Sequence, residues 1–475
     1  MKHTSCLSSA ALCLTGVAVG LVMPKSYAVD RSYSLLSEAG TNFSVFEHAA
    51  TNSRTRFVAN SGICETTKGV KQYSGYFDVG NDENMFFWFF EARNNASTAP
   101  LALWLNGGPG CSSMLGLFQE NGPCTFNKGD SAEPTLNPHS WNKFANMLYV
   151  DQPIGAGFSY NSRNASNTTS TVKAAPQVWA LMQSFYSQFP EYKNRDFGLF
   201  TESYGGHYGP EFASYFQDQN KAIDGGSVKG EKIKLVALGI NNATQYRDYL
   251  DYALNNRYNK LIDQRKHDEL LKAYKKDCEP NLHKCTEIEG HDEACVAVET
   301  ACYNAVEAPI EAAKTFDVYD VRSVNGSFPS DRYSRYLERP EVLKAIGAAS
   351  PYQECPQAPF DKFTSTGDGQ RPFLKKLQDV TKTDVQVLIW AGDSDWICNY
   401  VGVYNVVKKI GGEEFANATM KDFNLNGKKR GEYKTVKNLS WLRVYDAGHE
   451  IPAYQPEVAF EVFRQTMSKK PISSP

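Results

Sequence analysis

Three short segments, far apart in the chain, carry the residue types that nucleophilic acyl chemistry needs. Phe197-Gly198-Leu199-Phe200 reads as a buried strand and runs directly into Thr201-Glu202-Ser203-Tyr204-Gly205-Gly206. A strand, a tight turn centred on serine and then a helix lift the hydroxyl above a sheet edge. The usual pattern has Gly two residues before the serine; Thr201 stands there and is small enough for a crowded turn. Two later apolar runs end in chemistry as well. Val385 to Ala391 leads into Gly392-Asp393-Ser394-Asp395, and Trp441 to Tyr445 leads into Asp446-Ala447-Gly448-His449. A serine hydroxyl needs a base to take its proton, and the base needs a carboxylate to fix its tautomer. A fourth segment, Asn106-Gly107-Gly108-Pro109-Gly110, follows the strand Leu101 to Leu105. Such a glycine-rich loop brings backbone N–H groups, with that of Tyr204, toward an oxyanion.

The elements that must position these residues are legible in outline. Leu101–Leu105, Met147–Val150, Phe197–Phe200, Ile233–Ile240 and Val385–Ala391 are short and apolar throughout, as strands buried on both faces are. Helical patterns such as Val172–Phe189 lie between them, which predicts an α/β fold with a mostly parallel central sheet covered by helices on both faces. Serine, acid and histidine in that chain order, each after a strand, predict an α/β-hydrolase arrangement. Gln72–Val79 and Met85–Ala92 read as a hairpin around Gly80-Asn81-Asp82. The stretch from Tyr246 is helical and charged and holds Cys278, Cys285, Cys295 and Cys302. It predicts a disulfide-stapled helical cap inserted into one sheet domain; a metal site would favour tighter Cys-x2–4-Cys pairs. The domain reading is a signal peptide at 1–28, an N-terminal arm or pro-segment at 29–60, the core at 61–245, the cap at 246–345 and the rest of the core at 346–475.

The compartment follows from the N-terminus. Lys2, an apolar run from Ala10 to Met23 and Ser26-Tyr27-Ala28 form the parts of a cleaved secretory signal. The run is too short to span a bilayer, which takes about 20 residues. Removing residues 1–28 takes Lys2 and Lys25 from a formal charge of −3 and leaves −5. That balance offers no basic surface for nucleic acid. Of eleven cysteines, Cys6 and Cys13 leave with the signal; nine remain, so one is unpaired. Sequons stand at Asn42, Asn95, Asn164, Asn167, Asn242, Asn325, Asn417 and Asn438, as in a secreted glycoprotein. The C-terminus shows neither a GPI signal nor a retention tetrapeptide. Secretion is expected, with vacuolar delivery the other destination of the same route. No membrane anchor, metal or cofactor is expected, and oligomeric state is left open.

These motifs together resemble the serine carboxypeptidases. The residues that carry the resemblance are Trp104-Leu105-Asn106-Gly107-Gly108-Pro109-Gly110-Cys111-Ser112-Ser113, Glu202-Ser203-Tyr204-Gly205-Gly206-His207-Tyr208, Gly392-Asp393-Ser394-Asp395 with Cys398-Asn399, and Gly448-His449. It runs from about residue 60 to the end, including Tyr336-Leu337-Glu338-Arg339-Pro340-Glu341-Val342, and is nearest to secreted fungal enzymes of the carboxypeptidase D type. The resemblance implies a triad of Ser203, Asp395 and His449, with Asp393 and Asp446 outside it, and an oxyanion hole at Gly108 and Tyr204. It implies recognition of the substrate's terminal carboxylate by Asn106, Glu120 and Glu202, with Gly107 also in the substrate site. Two close glutamates share a proton, one pKa rising, so the pair can donate to a carboxylate in acid. The resemblance further implies Cys398 as a free thiol beside the site and disulfides Cys111–Cys355, Cys278–Cys302 and Cys285–Cys295, which leaves Cys64–Cys124. Glu450 falls where the family meets the departing C-terminal residue, which implies acceptance of Lys and Arg. The implied activity is release of C-terminal amino acids from peptides and proteins at acidic pH. Two other readings use the same residues: acyl transfer by the same triad, and a non-catalytic glycoprotein on a hydrolase scaffold, which would expect a lost triad member.

Overall fold

The structure is a computed structural model that describes residues 34–475 except 39–40, 49–52, 127–131, 164–165, 242–245, 286–291, 325 and 327. The signal reading at 1–28 lies outside the described residues. The strands are β1 (Ser34–Glu38), β2 (Thr41–His48), β3 (Ser53–Ala59), β4 (Gln72–Asp78), β5 (Glu83–Phe90), β6 (Leu101–Leu105), β7 (Asn146–Val150), β8 (Phe197–Glu202), β9 (Leu235–Asn241), β10 (Gln386–Gly392), β11 (Lys421–Leu425), β12 (Lys428–Val436) and β13 (Leu439–Val444). They form one sheet in the order β1-β2-β3-β4-β5-β7-β6-β8-β9-β10-β13-β12-β11. Parallel pairing joins the central six, from β7 to β13. The edges are antiparallel. Every residue of β6, β7 and β8 is buried, because helices cover both faces.

One face packs against α1 (Thr171–Gln188), α2 (Gly205–Asp224) and α6 (Tyr400–Asn417), burying Val178, Phe185, Phe212 and Val407. The other face packs against α7 (Pro456–Met467), whose Phe463 stacks on Trp141 at 4.1 Å between centroids. Aromatic rings of this size bury 150–250 Å² each, which accounts for the chain's aromatic content as core.

Segment 29–60, read from the sequence as an arm or pro-segment, carries three strands of the sheet edge. Phe43, Val45 and Phe57 are buried there; their alternation is short and set among polar residues, so its period is weak in the sequence. Between β9 and β10 the chain leaves the sheet. It builds a cap from α3 (Tyr246–Asn255), α4 (Gln264–Ala273) and α5 (Asp292–Cys302), around Leu250, Val298, Val306 and the stapled cysteines. The cap cluster ends near Val321, earlier than residue 345. Tyr333, Tyr336, Leu337, Val342 and Ile346 instead pack into the sheet core beside Trp88 and Trp104. Helical periodicity gave the elements there but not the body they join.

Four disulfides are formed: Cys64–Cys124, Cys111–Cys355, Cys278–Cys302 and Cys285–Cys295, with Cys398 free. Asn95, Asn167 and Asn417 are exposed. Asn438 is half-buried and donates through Nδ2 to the carbonyls of Thr383 and Val385, so a glycan on that nitrogen would cost at least one of these bonds. Asn164, Asn242 and Asn325 lie outside the described residues, as does the side chain of Asn42. Among the described residues no helix is long and apolar enough to cross a membrane.

Candidate active site

The carboxyl ends of the parallel strands meet at a cavity of about 520 Å³ that takes lining from Asn106, Gly107, Gly108, Glu202, Ser203, His449 and Glu450. Ligands of open α/β sheets bind at this edge. Ser203 follows β8 in the left-handed region at φ 60°. A non-glycine residue holds that conformation only when its surroundings over-determine it. Here Ser203 N donates to the Asn241 carbonyl at the end of β9 (2.8 Å), and Thr201 Oγ1 donates to the Gly205 carbonyl (2.8 Å). A Cβ on Gly205 would lie 2.5 Å from Thr201 Cβ. Glycine after the serine therefore makes room for the threonine before it.

His449 follows β13 and is 3% exposed; its Nδ1 lies 2.8 Å from Asp395 Oδ2, and Asp395 is fully buried after β10. A carboxylate can only accept here, so Nδ1 carries the proton and Nε2 is left as the basic nitrogen. The neighbouring Asp393 turns away, to Tyr258 Oη (2.7 Å) and Arg257 (3.2 Å). Asp446 likewise pairs with Arg257 (2.9 Å). Ser203 and His449 share the cavity lining, with no hydrogen bond between them among the described residues. Such contacts commonly tighten only when substrate is bound. The cap reaches the site through Tyr319, whose carbonyl accepts from His449 N (2.9 Å) and whose ring lies 5.0 Å from the imidazole. It also packs on Trp396, next to Asp395.

The loop after β6 sits hard against the elbow. A Cβ on Gly107 would come 2.4 Å from Tyr204 N and 2.8 Å from Ser203 Cβ, so only glycine allows the approach. Tyr204 caps α2, and neither its N–H nor that of Gly108 donates to an acceptor among the described residues. Free donors at a helix N-terminus favour negative charge.

Asn106, Glu120 and Glu202 are brought together from β6, from the wide turn Gly116–Glu120 and from β8, all nearly fully buried. Asn106 Nδ2 donates to Glu202 Oε1 (3.1 Å) and Glu120 Oε1 (3.2 Å), while its Oδ1 accepts from Trp104 Nε1 (2.7 Å) and Gly116 N (2.9 Å). Asn241, which the sequence reading missed, donates to Glu202 Oε2 (3.1 Å) and to the His449 carbonyl (2.9 Å). Its signal was its place at the carboxyl end of a parallel strand. Asn106 Nδ2 bridges the two carboxyls, and two buried acids this close share a proton. Burial pushes both above the usual carboxylate range, and the charge of Glu120 adds to the rise at Glu202. Glu450 lines the same cavity with Oε2 buried and unpartnered; burial, with Glu202 nearby, pushes it up to about 8.

Burial works downward on His449, and the charge and hydrogen bond of Asp395 work upward against it. Burial keeps Cys398 protonated up to about 11. Below that the thiol is neutral, so Asp395 is the charge that supports an imidazolium. The Cys398 backbone N donates to Asp395 Oδ1 (3.0 Å), and its thiol lies beside the imidazole. Among the described residues, Asp395, Cys398 and His449 are the one group of three or more metal-ligand types with donor atoms within 4.8 Å of one another. Two of those atoms, His449 Nδ1 and Asp395 Oδ2, already bond to each other.

The family model described as serine carboxypeptidase matches residues 63–469. The chain is 54% identical over 427 residues to carboxypeptidase S1 of Penicillium janthinellum, covering 88% of this chain and 100% of that protein. It is 36% identical over 414 residues to carboxypeptidase Y of Schizosaccharomyces pombe, covering 83% of this chain and 40% of that one. The fold matches the prohormone-processing carboxypeptidase of Saccharomyces cerevisiae with a TM-score of 0.73 at 22% identity, over 87% of this chain and 96% of that one.

Proposed function

The chain belongs to the serine carboxypeptidase family, and from that premise we propose that Ser203 is the nucleophile, His449 its general base and Asp395 the carboxylate that orients the base. The observation that carries this reading is the His449–Asp395 bond at 2.8 Å across one cavity from a serine held at φ 60°. Ser203 Oγ attacks the last peptide carbonyl as His449 Nε2 takes its proton. The N–H groups of Gly108 and Tyr204 receive the negative charge on the tetrahedral oxygen. His449 then gives the proton to the departing amine, and water repeats the cycle on the acyl-enzyme. Asn106 and the protonated Glu120–Glu202 pair donate to the terminal carboxylate of the substrate. The pair loses this ability as pH rises through its raised titration range, so hydrolysis of free-ended peptides is favoured in acid. Four disulfides and the sequon-rich sequence support an oxidising, secreted or vacuolar setting.

Acceptance of C-terminal Lys and Arg rests on Glu450 and on a lining that also includes Asp317, Asp320, Asp331 and Glu354. A buried carboxylate facing a guanidinium or ammonium forms a charge-assisted pair worth about 1.5–3 kcal/mol. The sign with pH is fixed by the raised pKa. Glu450 is protonated well below about 8, so pairing then costs a deprotonation, and the Lys/Leu preference grows as pH rises toward that value. The test is a peptide panel ending in Lys or Leu, as free acids and as amides, assayed from acid to neutral pH. Free acids are expected to be cleaved and amides spared. Glu450→Met is expected to lower the Lys/Leu ratio of kcat/KM by about 10- to 100-fold. Equal cleavage of acids and amides would overturn carboxylate recognition, and an unchanged ratio would overturn the role of Glu450.

Cys398 touches the base without supplying chemistry in this scheme. Cys398→Ser is expected to keep substantial activity, whereas a mercurial on the parent thiol blocks the cleft beside His449. Complete loss in the serine variant would give the thiol a part in the reaction.

A further inference from the structure

The ring of Tyr204 is tied to a buried carboxylate that touches no reacting atom. Asp368 is fully buried, and its Oδ2 accepts three hydrogen bonds: from Thr171 N (3.0 Å), Thr171 Oγ1 (2.5 Å) and Tyr204 Oη (2.7 Å). Thr171 opens α1, so the positive end of that helix also faces the carboxylate. Arg371 is 3% exposed; its Nε lies 3.8 Å from Asp368 Oδ1, and its Nη2 donates to Asp292 at the start of α5 in the cap. The Tyr204 ring stacks on His207 at 4.5 Å with 13° between planes. His207 Nε2 lies 2.9 Å from the Gly369 carbonyl, which can only accept, so that nitrogen carries the proton. Ring, hydroxyl and stacking partner are thus all fixed by residues 368–371.

A buried charge is costly, and an apolar filler of the same volume often stabilises a fold as well. What the carboxylate adds is direction: it sets one orientation of the Tyr204 side chain, and so of the backbone that bears the Tyr204 N–H. We propose that Asp368 is a positioning residue for the oxyanion site, holding the Tyr204 N–H in place through the Tyr204 hydroxyl, with Arg371 and Asp292 anchoring it to the cap. The proposal rests on the reading of the Tyr204 N–H as an oxyanion donor.

The test uses Asp368→Asn and Tyr204→Phe in the full chain. Each variant is assayed for kcat and KM on a blocked ester, for affinity toward a peptide aldehyde, and for affinity toward the matching peptide acid. The aldehyde carbon takes the Ser203 oxygen and its own oxygen becomes the tetrahedral oxygen, whereas the acid binds without a bond. Loss of kcat and of aldehyde affinity by a common factor of about 10, a fraction of what deleting a donor costs, is expected. KM and acid affinity should stay unchanged. A merely structural role would move melting temperature and leave the aldehyde-to-acid affinity ratio at its parent value, which overturns the proposal. If Asp368→Asn does not fold, Tyr204→Phe, which removes only the hydroxyl, decides it on the same ratio. A parent enzyme that forms no aldehyde adduct would instead overturn the assignment of Ser203.

Discussion

Ser203→Ala is expected to lower kcat on peptides by about a million-fold, the scale seen when a triad nucleophile is deleted, while the oxyanion donors leave a small residual rate. The physical reason lies in the elbow. The turn at φ 60° after β8 sets Ser203 in the cavity that His449 also lines, beside the free N–H groups of Tyr204 and Gly108. A fluorophosphonate should therefore modify one residue, Ser203, as read by peptide mass spectrometry. The variant should fold normally, since alanine removes one oxygen that takes no part in the core. Labelling at another serine, or activity near the parent level, would sink the assignment of the nucleophile.

Changing Glu120 and Glu202 together to Gln should separate binding of the chain end from chemistry. Hydrolysis of free-ended peptides is expected to fall by about 10- to 100-fold, the value of one or two charge-assisted hydrogen bonds. Ester or amide substrates with no terminal carboxylate should lose little. The pH profile carries the sharper signature. In the parent, burial raises both carboxyls, so the pair donates in acid and becomes anionic as pH rises through the raised range. The anion repels the substrate carboxylate and closes the alkaline side of the profile. Gln donates at every pH, so that limb should flatten for peptides and stay as it was for blocked substrates. Equal losses on both substrate kinds would mean that the pair supports His449 rather than the chain end.

Much of this was legible in the chain because local rules govern it. Apolar runs ending in Asn-Gly-Gly, Thr-Glu-Ser, Gly-Asp-Ser-Asp and Ala-Gly-His identify strands with polar carboxyl ends, and their order identifies the class of fold. The same rules named Ser203 and His449, since each stands alone in its motif as a group of its chemical type. They could not choose Asp395 over Asp393, two residues apart on one loop. The resemblance made that choice, and its physical basis is the tertiary placement of Arg257, Tyr258 and Arg443, which pair with Asp393 and leave Asp395 to His449. Nor could periodicity assign 34–59 to the sheet or end the cap near Val321, because burial depends on which body covers a face and not on its period. The raised titration of Glu450 was beyond sequence for the same reason, and that of Glu120 and Glu202 followed only from the resemblance that sets them side by side. Alone, each is an ordinary solvated carboxyl; only three distant segments folded into one dry cavity, with Asn106 and Asn241 between them, raise their pKa values and keep their protons. Sequence spacing determined which groups stand at the ends of strands, and packing alone decided how near they come and how little water reaches them.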